Sequence, residues 1–151
     1  MSGSAAQAIC QFIPPFMRFL RDGLAEVHMS PARFQILQTL RYEDALSMIQ
    51  LADRLSVTKR NVTALVDGLE KDELAVRTPH PTDRRSTLVK LTPAGEVAFA
   101  AAAEIQQKHL SKLLTRLDEH QQREVAKALN ELTGVLSAKP RSGINRAGSI
   151  E

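Results

Sequence analysis

Between residues 46 and 92 the spacing of apolar positions changes, and each change marks an element. Met48, Leu51, Ala52 and Leu55 recur three and four apart, which gathers them on one face of a helix, and Ser47 before them is a residue type that caps helix N-termini. Ser56 and Val57 interrupt the run. Thr58 then offers a second cap, and Val62, Leu65, Val66 and Leu69 repeat the helical spacing. At about 100° per residue the opposite face carries Arg60, Ala64, Asp67 and Lys71, flanked by Asn61 and Thr63, with Lys59 in the first turn. Leu74 to Thr78 and Ser86 to Leu91 instead alternate in part and are bounded by turn formers. They predict an antiparallel pair around Pro79-His80-Pro81-Thr82-Asp83-Arg84-Arg85.

The rest of the chain reads as helix. Ser30, with Pro31 at the first helical position, starts one that runs through Phe34, Leu37 and Leu40, and residues 42–46 read as a connection. Thr92-Pro93 repeats that start signal for a long helix to about Arg116, whose lean stripe of Ala98, Ala101 and Ile105 precedes Leu110, Leu113, Leu114 and Leu117. Asp118 and Gln121 have capping-box spacing ahead of Val125, Ala128, Leu129, Leu132 and Leu136. Near the N-terminus Pro14-Pro15 fits a first turn but not a helix interior. The expectation is a helix from about Pro15 with Phe16, Phe19, Leu20 and Leu24, preceded by a separate arm or short helix. A helix as long as the one from Pro93 cannot bury its apolar side on the central segment alone, which implies a helix-helix interface with a second copy.

The polar residues of the central segment point to nucleic acid. A helix N-terminus with basic side chains favours phosphate, while Arg, Asn and Thr can hydrogen-bond base edges in a major groove. The proline-stiffened loop sets Arg84 and Arg85 near its apex, and an arginine on such a tip suits the narrow, electronegative minor groove. Asp83 accepts only, so its role is to hold the loop by turn hydrogen bonds or to brace a neighbouring arginine. The DNA-facing set is therefore Ser56, Thr58, Lys59, Arg60, Asn61, Thr63 and Ala64 around the second helix, and Arg77, Asp83, Arg84 and Arg85 around the hairpin.

Composition narrows the alternatives. With 43% hydrophobic residues in 151 the chain is globular, and a net charge of +3 is a mild basic bias whose weight lies in where the cations cluster. No apolar run nears the roughly eighteen residues of a membrane span and the start lacks a signal pattern, so a cytoplasmic protein is expected. The single cysteine, Cys10, excludes an intrachain disulfide and a cysteine-based zinc finger, and His28, His80, His109 and His120 lack ligand spacing, so neither a metal nor a cofactor is expected. Gly68 and Gly95 are isolated and no nucleophile-base motif is present, which argues against an enzyme. A non-catalytic module that uses the same helix pair and hairpin for protein interaction is the alternative that composition leaves open.

Ser30-Pro31-Ala32-Arg33-Phe34-Gln35-Ile36-Leu37, Leu51-Ala52-Asp53-Arg54-Leu55, Val62 to Lys71, Asp83-Arg84-Arg85 and Leu91-Thr92-Pro93-Ala94-Gly95, in that order, resemble the MarR family of winged helix-turn-helix transcription regulators, over roughly Pro15 to Leu136. The resemblance implies a mainly α fold with a small β-wing: an N-terminal arm and first dimerisation helix over 1–29, a winged helix-turn-helix domain over 30–92, C-terminal dimerisation helices over 93–138 and a disordered tail over 139–151. It implies a homodimeric repressor on a near-palindromic double-stranded operator, with Thr58 to Lys71 as recognition helix and Arg84 in the minor groove. It also implies a small-molecule effector, an aromatic carboxylate among the candidates, in a pocket drawn from Phe16, Phe19, Arg18, His28, Arg33 and Phe34. One branch of the family senses peroxide through a thiol, which makes Cys10 a redox candidate. The chain departs from the family at Lys71-Asp72-Glu73-Leu74, where a glycine is usual; a left-handed turn there would cost Asp72 or Glu73 on the order of 1 kcal/mol.

Overall fold

Side-chain caps set the starts of the helices. The computed structural model describes residues 3–138 and contains α1 (Ala5–Ala25), α2 (Pro31–Glu43), β1 (Ala45–Ser47), α3 (Met48–Leu55), α4 (Lys59–Lys71), β2 (Ala75–Pro79), β3 (Thr87–Leu91), α5 (Pro93–Leu114) and α6 (Glu119–Ser137). The Ser30, Ser47 and Thr58 hydroxyls accept the amide N–H of Arg33, Gln50 and Asn61. The Thr92 hydroxyl accepts from Gly95, and Asp118 and Gln121 form a reciprocal box. Each cap satisfies an amide that the first helical turn leaves without an internal partner. The tail expected over 139–151 lies outside the described residues.

The helical stripes meet on one core. Leu24 of α1, Phe34, Ile36, Leu37 and Leu40 of α2, Leu51 of α3, Val62, Val66 and Leu69 of α4, and Ala102 of α5 are buried together with Leu46, Ala75 and Val89 of the sheet. The sheet is antiparallel in the order β1-β3-β2, with Val89 of the central strand between Leu46 and Arg77. Pro79 ends β2 at the sheet edge, where the amide it lacks is not needed by a further strand.

Two expectations are corrected. The connection read over residues 42–46 holds the first two residues of β1, which pairs Ala45, Leu46 and Ser47 with Lys90, Val89 and Leu88. Three residues are too few to show an alternation, and Asp44 (φ 67°) turns the chain sharply into the strand. The arm expected before Pro15 is instead the first half of α1, which starts at the Ser4 cap and continues through Pro14 and Pro15. Each proline removes one i to i−4 bond, but Cys10 and Gln11, whose carbonyls are freed, are exposed and can be hydrated. Phe12 and Phe16, one turn apart, stack at 4.7 Å across the prolines and tie the two halves together.

The chain resolves into two compact units, Met1–Leu110 and Ser111–Glu151. The division falls inside α5 rather than before it, because Ala102 is buried in the first unit's core and Ala98, Phe99 and Ala103 pack against it.

The exit of α4 is strained where the sequence lacks glycine. Glu73 has φ 60°, with the Leu74 amide donating to the Leu69 carbonyl at 2.8 Å and that of Glu73 to the Glu70 carbonyl at 3.0 Å. A β-carbon in this region is disfavoured by roughly 1–2 kcal/mol, and glycine returns part of that gain as unfolded-chain entropy. Glu73→Gly should therefore raise stability in urea unfolding by about 0.5–1 kcal/mol, and Glu73→Val should lower it by about 1 kcal/mol. Loss of stability in the glycine variant would show that the turn is not strained.

Candidate nucleic-acid interface

The first turn of α4 is the most cationic helix start in the fold, and its side chains are free. The Thr58 hydroxyl holds the Asn61 amide at 3.2 Å, which orients the turn, while Lys59, Arg60 and Asn61 extend from it exposed. Thr63 donates its hydroxyl to the Lys59 carbonyl at 2.8 Å, so its oxygen is left to accept rather than donate. Ala64 is exposed and small, a surface that lets a partner come close. Ser56 is in the left-handed region (φ 52°, ψ 40°), with its amide donating to the Ala52 and Asp53 carbonyls; it forms the turn that sets α4 against α3.

The wing tip is held by backbone-directed bonds that leave its arginines unused. Asp83 Oδ1 accepts the Arg85 amide at 3.0 Å and its carbonyl accepts the Ser86 amide at 3.1 Å, the turn-holding role read for Asp83. His80, passed over in the sequence, is the second anchor: its Nδ1 accepts the amides of Thr82 at 3.2 Å and Asp83 at 3.0 Å. The signal for it was a histidine set between two prolines and just ahead of turn amides. Arg84 and Arg85 are exposed, and among the described residues neither guanidinium has a hydrogen-bond or ion-pair partner.

Wing and helix pair meet at a groove of about 240 Å3 lined by Ser47, Met48, Ile49, Lys59, Asp83, Arg85, Ser86 and Thr87. The start of α3, the start of α4 and the wing loop thus share one surface.

Arg77 departs from the set in which the sequence placed it. Its Nη2 donates to Asp67 Oδ1 at 2.6 Å and its Nη1 to Glu70 Oε2 at 3.0 Å, both on α4. The hydrogen bond to Asp67, with Glu70 adding to it, holds this guanidinium above its ordinary pKa. Arg77 is occupied within the fold where Arg84 and Arg85 are not. Sequence spacing could have hinted at it: Asp67 and Glu70 are three apart on one helical face, followed by a cation on the next strand.

Of the residues grouped as an effector pocket, Phe16, Phe19, Arg33 and Phe34 have contacts of their own. Phe34 is buried and stacks on Phe99 at 5.3 Å, Phe19 meets the His109 ring edge-on at 6.3 Å, and Phe16 stacks on Phe12. Arg33 pairs with Asp72 at 2.5 Å while its Nε is buried without a hydrogen bond. Arg18 is exposed on α1, and His28 is exposed in the turn after it with φ 52°. Cys10 is exposed on α1. Among the described residues no cluster of potential ligands could hold a metal, and no helix is long and apolar enough to cross a membrane.

A family model described as MarR family matches residues 29–87. The HTH-type transcriptional repressor MdtR of Bacillus subtilis is 25% identical over 140 residues, 93% of this chain and 88% of that protein. Crystalline wild-type MarR of Escherichia coli, in its apo form, has the same fold, with a TM-score of 0.82 over 87% of this chain and 98% of that one at 22% identity. A mutant MarR of Escherichia coli complexed with operator DNA aligns with a TM-score of 0.69 over 84% of this chain and 91% of that one, at 23% identity. The matched segment runs from the cap of α2 to the start of β3 and so contains α3, α4 and the wing tip, and the fold agrees over most of the chain: the protein belongs to the MarR family of transcription regulators.

Proposed function

We propose that the chain is a homodimeric repressor that binds a near-palindromic DNA operator, each subunit laying α4 in a major groove and the Arg84 tip in the flanking minor groove. The observation that carries this is the shared surface, on which the free cations of the α4 start and of the wing stand on either side of one groove. Free Lys, Arg and Asn side chains match what phosphates accept and what base edges accept and donate. Half-sites would lie about one helical turn apart, the spacing at which a two-fold dimer presents two recognition helices to one side of the duplex.

Dimerisation is supported by apolar surface on both terminal helices. Ile9, Phe12, Ile13 and Met17 are exposed on α1, and Val125, Leu129, Leu132, Val135 and Leu136 on α6, two helical stripes that a monomer would leave in water. Effector control is supported more narrowly, by the aromatic and cationic groups of α1 and α2. A ligand that binds better to one spacing of the two α4 helices than to another would change operator affinity by that difference.

Selection of bound fragments from the source genome, followed by footprinting, tests the reading. The expected result is a two-fold-related sequence protected at half-sites one turn apart. Light scattering supplies the second arm. Leu129→Glu combined with Leu132→Glu should halve the mass in solution and abolish footprinting at micromolar protein, because each buried carboxylate costs several kcal/mol at an apolar interface. A parent chain that scatters as a monomer overturns the dimer, and failure to enrich any fragment overturns the operator.

A further inference from the structure

Arg77 stands at the base of the wing and reaches the side of α4. Its two arms are divided between Asp67 and Glu70, carboxylates one helical turn apart, at 2.6 and 3.0 Å. A planar guanidinium engaged at two points fixes rotation as well as distance, which a single contact or an ammonium does not. On the other side Arg77 is paired in the sheet with Val89, which is buried, so its own strand cannot slide. The side chain of Arg77 is 27% exposed and those of Asp67 and Glu70 are 60% and 43% exposed. Ion pairs in such solvated positions add little to global stability, so the value of this one lies in geometry.

We infer that Arg77 is a positioning residue, which fixes the angle of the β2–β3 wing against α4 so that the wing tip and the α4 start engage one duplex together. The inference rests on the DNA-binding reading above. The wing tip lies roughly 12 Å beyond Arg77 at about 3.3 Å per residue, so a rotation of about 10° at the base moves it by about 2 Å. That exceeds what a hydrogen bond tolerates. Two contacts reinforce each other only while the link between them is stiff, because a loose wing must be ordered again at binding. Arg77 has a second effect: it covers Asp67 and Glu70, the acidic pair that α4 would otherwise present beside phosphates.

The pairing can be broken from either side, with Arg77→Gln or with Asp67→Asn and Glu70→Gln together, and Arg77→Lys tests the fork. Backbone relaxation and amide exchange of residues 82–86 are compared with those of the α4 interior. Expected is a loss of order confined to the wing in the first two variants, with partial recovery in Arg77→Lys. Unchanged wing order overturns the inference. On a genomic fragment selected by the parent chain, Arg84→Ala is then measured in the parent and in the Arg77→Gln background. Positioning predicts that a loss of tenfold or more in the parent shrinks to about twofold once the wing is loose. Equal losses in both backgrounds make Arg77 an independent contact and overturn the inference. If the parent chain selects no fragment, the DNA reading fails, while a fall in wing order still supports Arg77 as the strut of the wing.

Discussion

Arg84→Ala is expected to bind a selected operator fragment about 10- to 100-fold less tightly than the parent chain, the consequence of losing one cationic groove contact of roughly 1–3 kcal/mol. Its stability should be unchanged, because the side chain is exposed and has no partner among the described residues. The slope of log affinity against log salt should become shallower by about one, since one fewer counterion is released. Asn61→Ala should behave differently: as a group placed to meet base edges, it should change which sequences are preferred with little effect on the slope. Arg85 lines the groove beside Lys59 instead of standing free at the apex, so Arg85→Ala tests whether the apex itself matters. Unchanged affinity and slope in Arg84→Ala would remove the wing from the interface.

The difference between Arg84 and Arg77 shows where sequence reading stops. Both are arginines in a segment rich in cations, and composition alone cannot tell them apart. What separates them is three-dimensional: Asp67 and Glu70 come within reach of Arg77 only when β2 folds back along α4. The caps of α2 to α6 were legible because each depends on residues three apart in sequence, and so were the stripes of α2, α3 and α4, which repeat over several turns. β1 was not, because three residues carry no period and its place is set by pairing with a strand some forty residues away. The continuity of α1 through Pro14 and Pro15 was hidden for a related reason: the cost of an interior proline is lower where the carbonyl it frees is open to solvent, and the exposure of Cys10 and Gln11 is set by the fold. The effector residues were grouped by type, and the fold gives Phe16, Phe19, Arg33 and Phe34 among them different neighbours.

The sequence shows Gly95 as an isolated glycine that closes the Leu91-Thr92-Pro93-Ala94-Gly95 run, and its substitution carries the largest expected structural effect. It lies in the first turn of α5, where its amide donates to the Thr92 cap at 3.0 Å. Thr92 in turn clasps the exit of α4: its hydroxyl donates to the Glu73 carbonyl at 2.6 Å and its amide to the Leu74 carbonyl at 3.1 Å. A β-carbon added at Gly95 would sit 2.0 Å from the Leu74 oxygen and 3.2 Å from Leu91 Cδ2. The nearer obstacle is backbone and cannot rotate away. Gly95→Ala must therefore push the α5 start off the turn after α4, losing the Thr92 bonds as well as packing. Overpacking of about 1–3 kcal/mol and a hydrogen bond or two of about 1 kcal/mol each outweigh the roughly 1 kcal/mol by which alanine favours helix. A net loss of about 1–4 kcal/mol corresponds to a fall in Tm of roughly 2–16 °C for a chain of this size. Ala94→Gly, at an exposed neighbouring position, should cost only the propensity difference of about 1 kcal/mol. Because the displaced turn anchors the end of α4, Gly95→Ala should also weaken operator binding at temperatures where the protein is still folded, an effect that Ala94→Gly lacks. If Gly95→Ala melts at or above the parent temperature, α5 does not press on the recognition helix, and the link between the two must run elsewhere.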